Sequence, residues 1–250
     1  MTPEKTTAAS SVWLVIPCYN DAARLARFLP DLCATLEHAP FRVFVQVVDD
    51  GSTPENRAAV SELIRETQAR YDFLRPALLM ERNEGKGAAI LHGWAAGAAD
   101  WFGFLDADGA VGAGEVLRVL GLIGPEKALF ASRIRMRGRT VERSFKRHLT
   151  GRVFASLIGA KIDSRIYDSQ CGFKLIPNAA YQKIKPYLRE KGFAYDVELL
   201  ALLNHFQIPV LEVPVDWSDI AGSKISLIRD AWRMLCAVHV IHDRMKTGFR

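Results

Sequence analysis

The first 130 residues alternate between short apolar runs and stretches with helical spacing, and this alternation constrains the fold more than anything else in the chain. Val12–Pro17 is a run of strand length, followed by residues 21–38 with Leu25, Phe28, Leu29, Leu32 and Leu36 on one helical face. Phe41–Val48 predicts a second strand, residues 55–70 a helix, Ala77–Met80 a third strand and Gly85–Ala99 a helix of small residues. Trp101–Leu105, a helical Val116–Ile123 and Leu129–Ser132 continue the pattern. Strands joined through helices predict an α/β fold, a mostly parallel sheet covered on both faces. The 250 residues suffice for one such domain, expected over 11–250 after a disordered 1–10.

Polar residues cluster after three of these strands: Tyr19-Asn20-Asp21, Asp49-Asp50-Gly51-Ser52 and Asp106-Ala107-Asp108. Open parallel sheets bind ligands beyond the carboxyl ends of their strands. Two carboxylates at i and i+2 can hold a divalent cation through oxygen, and such a cation can carry a diphosphate. Asn83-Glu84-Gly85-Lys86-Gly87 opens a helix, its glycines letting backbone approach a ligand while Lys86 offers charge. It has neither the P-loop spacing nor that of a dinucleotide fingerprint.

The second half is less regular. Residues 139–160 read as a basic amphipathic helix, Gln170–Pro177 as a strand and Asp196–Phe206 as a helix. Ile208–Trp217 reads as an edge strand, because Pro209 and Pro214 suit a sheet edge. Ser226–Lys246 reads as a C-terminal amphipathic helix, with Ile228, Trp232, Leu235, Val238 and Ile241 on one side. Core packing is the first reading of that stripe and an interfacial membrane contact the second.

Net charge is +5, but it is local. Residues 133–152 carry eight basic side chains against Glu142, leaving the segment at +7 and the remainder at −2. Arginines gathered in this way bind phosphate or an anionic membrane surface, while a solvated helix face is the plain alternative. Aromatic interleaving is too thin for a nucleic-acid surface. Four scattered cysteines predict no zinc site or disulfide framework, and a cytoplasmic setting. The polar N-terminus is not a signal peptide, and no apolar run is long enough to span a membrane. The scattered histidines form no triad.

Taken in order, these motifs resemble family 2 glycosyltransferases, and within them the enzymes that glycosylate polyprenyl phosphates. The likeness runs from Val12 to about Leu227. Asp168-Ser169-Gln170-Cys171-Gly172-Phe173-Lys174, Phe193 to Leu200 and Gly222-Ser223-Lys224 resemble the glucosyl branch more than the mannosyl one. The resemblance implies an A-type glycosyltransferase fold, with a nucleotide-sugar half at 11–132, an acceptor half at 133–224 and a C-terminal helix at 225–250. It implies a UDP-glucose donor, or GDP-mannose, with Mg2+ or Mn2+ as cofactor. The acceptor would be a polyprenyl or dolichyl phosphate, met by peripheral contact at the inner face of the membrane. By motif, Pro17, Tyr19, Asp21, Val48 and Asp50 would hold the nucleoside. Lys86, Asp106, Ala107, Asp108 and Lys224 would line the diphosphate, with Asp106 and Asp108 as metal ligands. Arg133, Arg143 and Arg147 would hold the acceptor phosphate, and Asp196 would orient the sugar or an arginine. Asp108, Arg133, Arg147 and Asp196 are thus the expected catalytic set. The sequence departs from the family at Asp21, where glutamate is usual, and at Ala110, where the mannosyl enzymes place a third metal ligand. A soluble acceptor would instead require Asp196 or Asp168 as a base, and a non-catalytic scaffold would keep only the nucleotide pocket.

Overall fold

A computed structural model describes residues 11–124, 127–134, 140–142, 166–220 and 227–249. Strands β1 (Ser11–Cys18), β2 (Arg42–Asp49), β3 (Leu78–Leu79), β4 (Trp101–Leu105) and β5 (Ala128–Ser132) come from the apolar runs. Helices α1 (Ala22–Leu36), α2 (Pro54–Gln68), α3 (Lys86–Ala95) and α4 (Ala113–Leu120) lie between them. Next come β6 (Val141–Glu142), β7 (Phe173–Pro177), α5 (Asn178–Ile184), a 3-10 turn at Lys185–Tyr187, α6 (Tyr195–His205), β8 (Val210–Pro214), β9 (Trp217–Ser218) and α7 (Leu227–Lys246).

Seven strands form one sheet in the order β3-β2-β1-β4-β7-β5-β8. Every pair is parallel except those made by β7, which runs antiparallel to β4 and β5. That reversal positions the site. Leu105 at the end of β4 faces Phe173 at the start of β7, so the segment before β7 arrives beside the acidic end of β4. The tie is direct, Asp106 N–H to the Gly172 carbonyl at 2.8 Å. β8 closes one edge, as its prolines predict.

Apolar layers cover both faces. Leu25, Leu29 and Leu32 of α1 and Val116 of α4 are buried with Leu14, Ile16 and Val45 on one side. On the other, Trp94 of α3 packs edge-on to Phe102, Tyr181 and Tyr195 and donates to the Gly103 carbonyl at 2.8 Å. Val238 and Ile241 of α7 are buried in this second layer, so that end of the α7 stripe serves the core, while the side chains of Ile228 and Trp232 lie outside the described ones.

Two expected elements change. The single strand over 208–217 divides after Pro214, its last residues pairing with β6 in a separate two-stranded ribbon. Val141–Glu142, expected within a basic helix, is that extended partner; positions 139 and 143–160 of that expected helix lie outside the described residues. Among the described residues no helix is long and apolar enough to cross a membrane.

Candidate active site

Three strand ends converge as their polar termini predict. After β1, the Asn20 side chain accepts from Thr53 N–H at 2.8 Å, and Ser52 Oγ accepts from Asn20 N–H at 2.8 Å, locking the first two loops together. Tyr19 is about half exposed, and Pro17 stands at the end of the strand. Asp21 pairs with Arg24 at 2.6 Å, and Arg24 also reaches Asp108 at 3.5 Å. After β2, Asp49 is buried and accepts from Ser52 N–H, closing the turn. Asp50 accepts from Asn83 Nδ2, Glu84 N–H and Gly85 N–H at 2.8–3.0 Å. Burial pushes its carboxyl up, and the bonds from Glu84 and Gly85 N–H oppose the shift. Asp50 therefore braces the loop that opens α3. Val48 is wholly buried, its side chain against α3 near Gly93.

The Gly85-Lys86-Gly87 turn admits backbone closely, but that backbone is the chain's own. A methyl on Gly85 would lie 2.4 Å from the Lys191 carbonyl oxygen, and one on Gly87 2.5 Å from that of Glu190. Gly85 also holds φ +106, a region side chains avoid. The glycines thus seat the segment before α6 and aim Lys86 into the site.

At the end of β4, Lys86 Nζ sits 2.7 Å from Asp106 Oδ1 and 3.7 Å from Asp196 Oδ2. Burial works to lower the Lys86 pKa, yet Asp106 and Asp196 outweigh it and hold the ammonium above its ordinary range. Asp108 accepts from Ala110 N–H at 3.0 Å. Its carboxyl is raised, first by burial and then by Asp106. Ala107 between them is buried. Asp196, on α6, also receives Lys174 Nζ in a short contact. Arg133, at the end of β5, forks onto Asp168 with Nε and Nη2 each at 2.7 Å, and its guanidinium lies 5.6 Å from the centre of the Trp217 ring. Glu212 of β8 holds that loop by accepting from Tyr167 and Asp168 N–H.

The structure thus gathers Asp106, Asp108, Lys86 and Asp196, while Arg143, Arg147 and Lys224 lie outside the described residues. The sequence reading had missed Arg24 and Lys174. Lys174 carried a signal: a lone cation in Phe173-Lys174-Leu175-Ile176, between apolar neighbours, must be buried with an acid. Arg24 carried none, being one of many exposed-looking helix arginines.

Two hard oxygen donors crowded enough to raise one carboxyl suit Mg2+ or Mn2+, with the remaining coordination left to substrate and water. Among the described residues no third acid, histidine or cysteine joins them.

The sequence profile of Glycosyl transferase family 2 matches residues 13–185. Dolichyl-phosphate beta-glucosyltransferase of Saccharomyces cerevisiae is 32% identical over 238 residues, 88% of this chain and 71% of that one. The Homo sapiens protein of the same name is 31% identical over 225 residues, 85% and 68%. Among solved structures, glucosyl-3-phosphoglycerate synthase from Mycobacterium tuberculosis, in complex with Mn2+, uridine diphosphate and its glucosyl product, superposes with a TM-score of 0.67 at 15% identity over 93% of this chain and 80% of that one. A mannosyltransferase from Pyrobaculum calidifontis with GDP-mannose and Mn2+ gives 0.63 at 16%, over 96% and 65%. At these identities the superpositions show the A-type fold.

Proposed function

The chain belongs to glycosyl transferase family 2 and is a glycosyltransferase, and from that premise we propose that it moves glucose from UDP-glucose to a polyprenyl phosphate, with inversion and with a divalent cation. The likeness to dolichyl-phosphate glucosyltransferases over most of the chain carries this reading. Pro17, Tyr19, Asp21, Val48 and Asp50 form the nucleoside side, Val48 through its strand position and Asp50 through the loop it braces. Asp106 and Asp108 hold the cation, which would neutralise the departing diphosphate. Lys86 and Lys224 add positive charge on that side.

The nucleophile is a phosphate oxygen. A phosphomonoester has its second pKa near 6, so it is mostly ionised at neutral pH and needs no base. The residues around it then have to position reactants and offset charge. Arg133, with Arg143 and Arg147, holds the acceptor phosphate. Its fork to Asp168 fixes the guanidinium at the end of β5. Asp196 has both oxygens turned to lysines, an arrangement that suits positioning rather than proton removal.

The test is transfer of label from UDP-glucose into an organic-extractable polyprenyl phosphate, with Mg2+ or with EDTA and with GDP-mannose in parallel. Lipid label from UDP-glucose that EDTA abolishes is expected. Label from GDP-mannose alone would overturn the donor, and no lipid label from protein that binds UDP would overturn the acceptor.

A further inference from the structure

Beneath the tip of β4, four side chains alternate in charge: Lys174, Asp196, Lys86 and Asp106. Donor binding accounts only for the last two, Lys86 and Asp106. Lys174 is wholly buried between the rings of Phe104 and Phe130, at 5.2 and 5.0 Å. Its Nζ donates to Asp196 Oδ1 and, at 2.7 Å, to the Cys171 carbonyl. That fixes the Asp196 carboxylate and leaves Oδ2 facing Lys86. The Lys86 ammonium is bonded to Asp106 at 2.7 Å and stands 3.7 Å from Asp196. A move of about 1 Å would convert the second separation into a charge-assisted hydrogen bond.

A divalent cation held by Asp106 and Asp108 would compete with Lys86 for the Asp106 carboxylate, and its like charge would repel the ammonium. Lys86 is nearly enclosed, so leaving it without an anion would be costly. Asp196 is the neighbouring carboxylate within reach, pinned in the receiving orientation.

We propose that Asp196, held by Lys174, is the second seat of the Lys86 ammonium, which leaves Asp106 for Asp196 when the cation binds. Lys174 and Asp196 are then positioning residues, acting on the cation site through Lys86. The inference rests on reading Asp106 and Asp108 as the cation's ligands, and is independent of the acceptor.

The experiment measures Mn2+ affinity from the paramagnetic resonance of free Mn2+, with no sugar nucleotide or lipid present. Asp196→Asn should weaken Mn2+ binding about tenfold, the worth of one charge-assisted bond. Lys86→Met should tighten it. In the Lys86→Met background, Asp196→Asn should change affinity by less than about twofold, because the ammonium that needed the seat is gone. An equal loss in both backgrounds would mean Asp196 acts only as a nearby negative charge, and no loss with Lys86 present would mean it offers no seat; either overturns the proposal. Asp196→Asn strands the buried Lys174 charge. Lys174→Met/Asp196→Asn removes both charges and should show the same weakened binding in a folded chain. Wild-type protein that binds no Mn2+ would sink the cation reading itself, whereas a failed lipid assay with this Mn2+ pattern intact would sink only the acceptor.

Discussion

Asp108 shows how far the site is arranged against its own stability. Burial and Asp106 raise its carboxyl pKa above the usual 3.8. A native pKa above the unfolded one means the folded state binds the proton more tightly. Ionising Asp108 therefore costs stability above the native pKa, and the cost vanishes as pH falls below the unfolded value. Asp108→Asn should raise the melting temperature of the cation-free protein at pH 7, with the gain disappearing below about pH 4, and should nearly abolish transfer. Thermal melts in EDTA across that range check the sign; a lowered melting temperature at pH 7 would contradict it. Gly172 protects the other carboxylate. A methyl there would stand 1.8 Å from Asp106 Oδ2, closer than any contact allows. Gly172→Ala should displace Asp106 and cost at least tenfold in Mn2+ affinity, an order-of-magnitude figure for one lost charged ligand. Calorimetric titration reads it, and unchanged affinity would show that the carboxylate has room to turn.

At the level of elements, α7 is tied down by more than its apolar stripe. Glu198 of α6 is fully buried and accepts from Arg189 and Glu190 N–H at 2.8 Å, and Arg244 of α7 meets its other oxygen in a short contact. Arg244 also donates to the Tyr187 carbonyl at 2.6 Å. Arg244→Met should cost roughly 2–3 kcal/mol, somewhat under a wholly buried pair because Arg244 is partly exposed. Glu198→Gln/Arg244→Met should lose less than the single change, as urea unfolding would show. None of this was legible in the stripe of α7, because pairing a helix arginine with a buried glutamate 46 residues earlier requires the tertiary structure. What was legible were elements whose pattern is local. β1, β2 and β4 are apolar runs that end in polar residues, and the structure places them within two residues of expectation. The seven-residue α5 is too short for a periodic signal. The ribbon formed by β6 and β9 depends on pairing between segments far apart in the chain, which no local pattern records. The site divides in the same way. The acids at strand ends and Lys86, in its Gly-Lys-Gly turn, were visible, but Arg24 and the Lys174–Asp196 pair were not, since sequence spacing does not reveal which partner a distant cation meets.

Across the whole molecule, a lipid phosphate would have to be met by a chain whose described helices include none able to cross a bilayer. Two kinds of surface could bring it to a membrane, apolar insertion or charge. Val238 and Ile241 of α7 are used by the core, and among the described residues the large exposed apolar side chains, Tyr19, Leu79, Leu122, Tyr167, Phe193, Leu211 and Val240, come from separate elements. Charge is the stronger candidate: residues 133–152 carry +7 in a chain of net +5. Each basic residue near an anionic surface contributes about 1 kcal/mol, and the attraction fades within a Debye length. The chain should therefore sediment with vesicles containing phosphatidylserine at physiological salt and not with neutral ones. It should be released near 1 M salt, where that length falls to about 3 Å. Binding that survives high salt would reveal apolar insertion, and α7 would then be the element to test by substitution at Val240, the large apolar residue it exposes among those described. Absence of binding to both vesicle types would leave the arginines to the acceptor phosphate alone, and the lipid would have to reach the site without a membrane contact made by these residues.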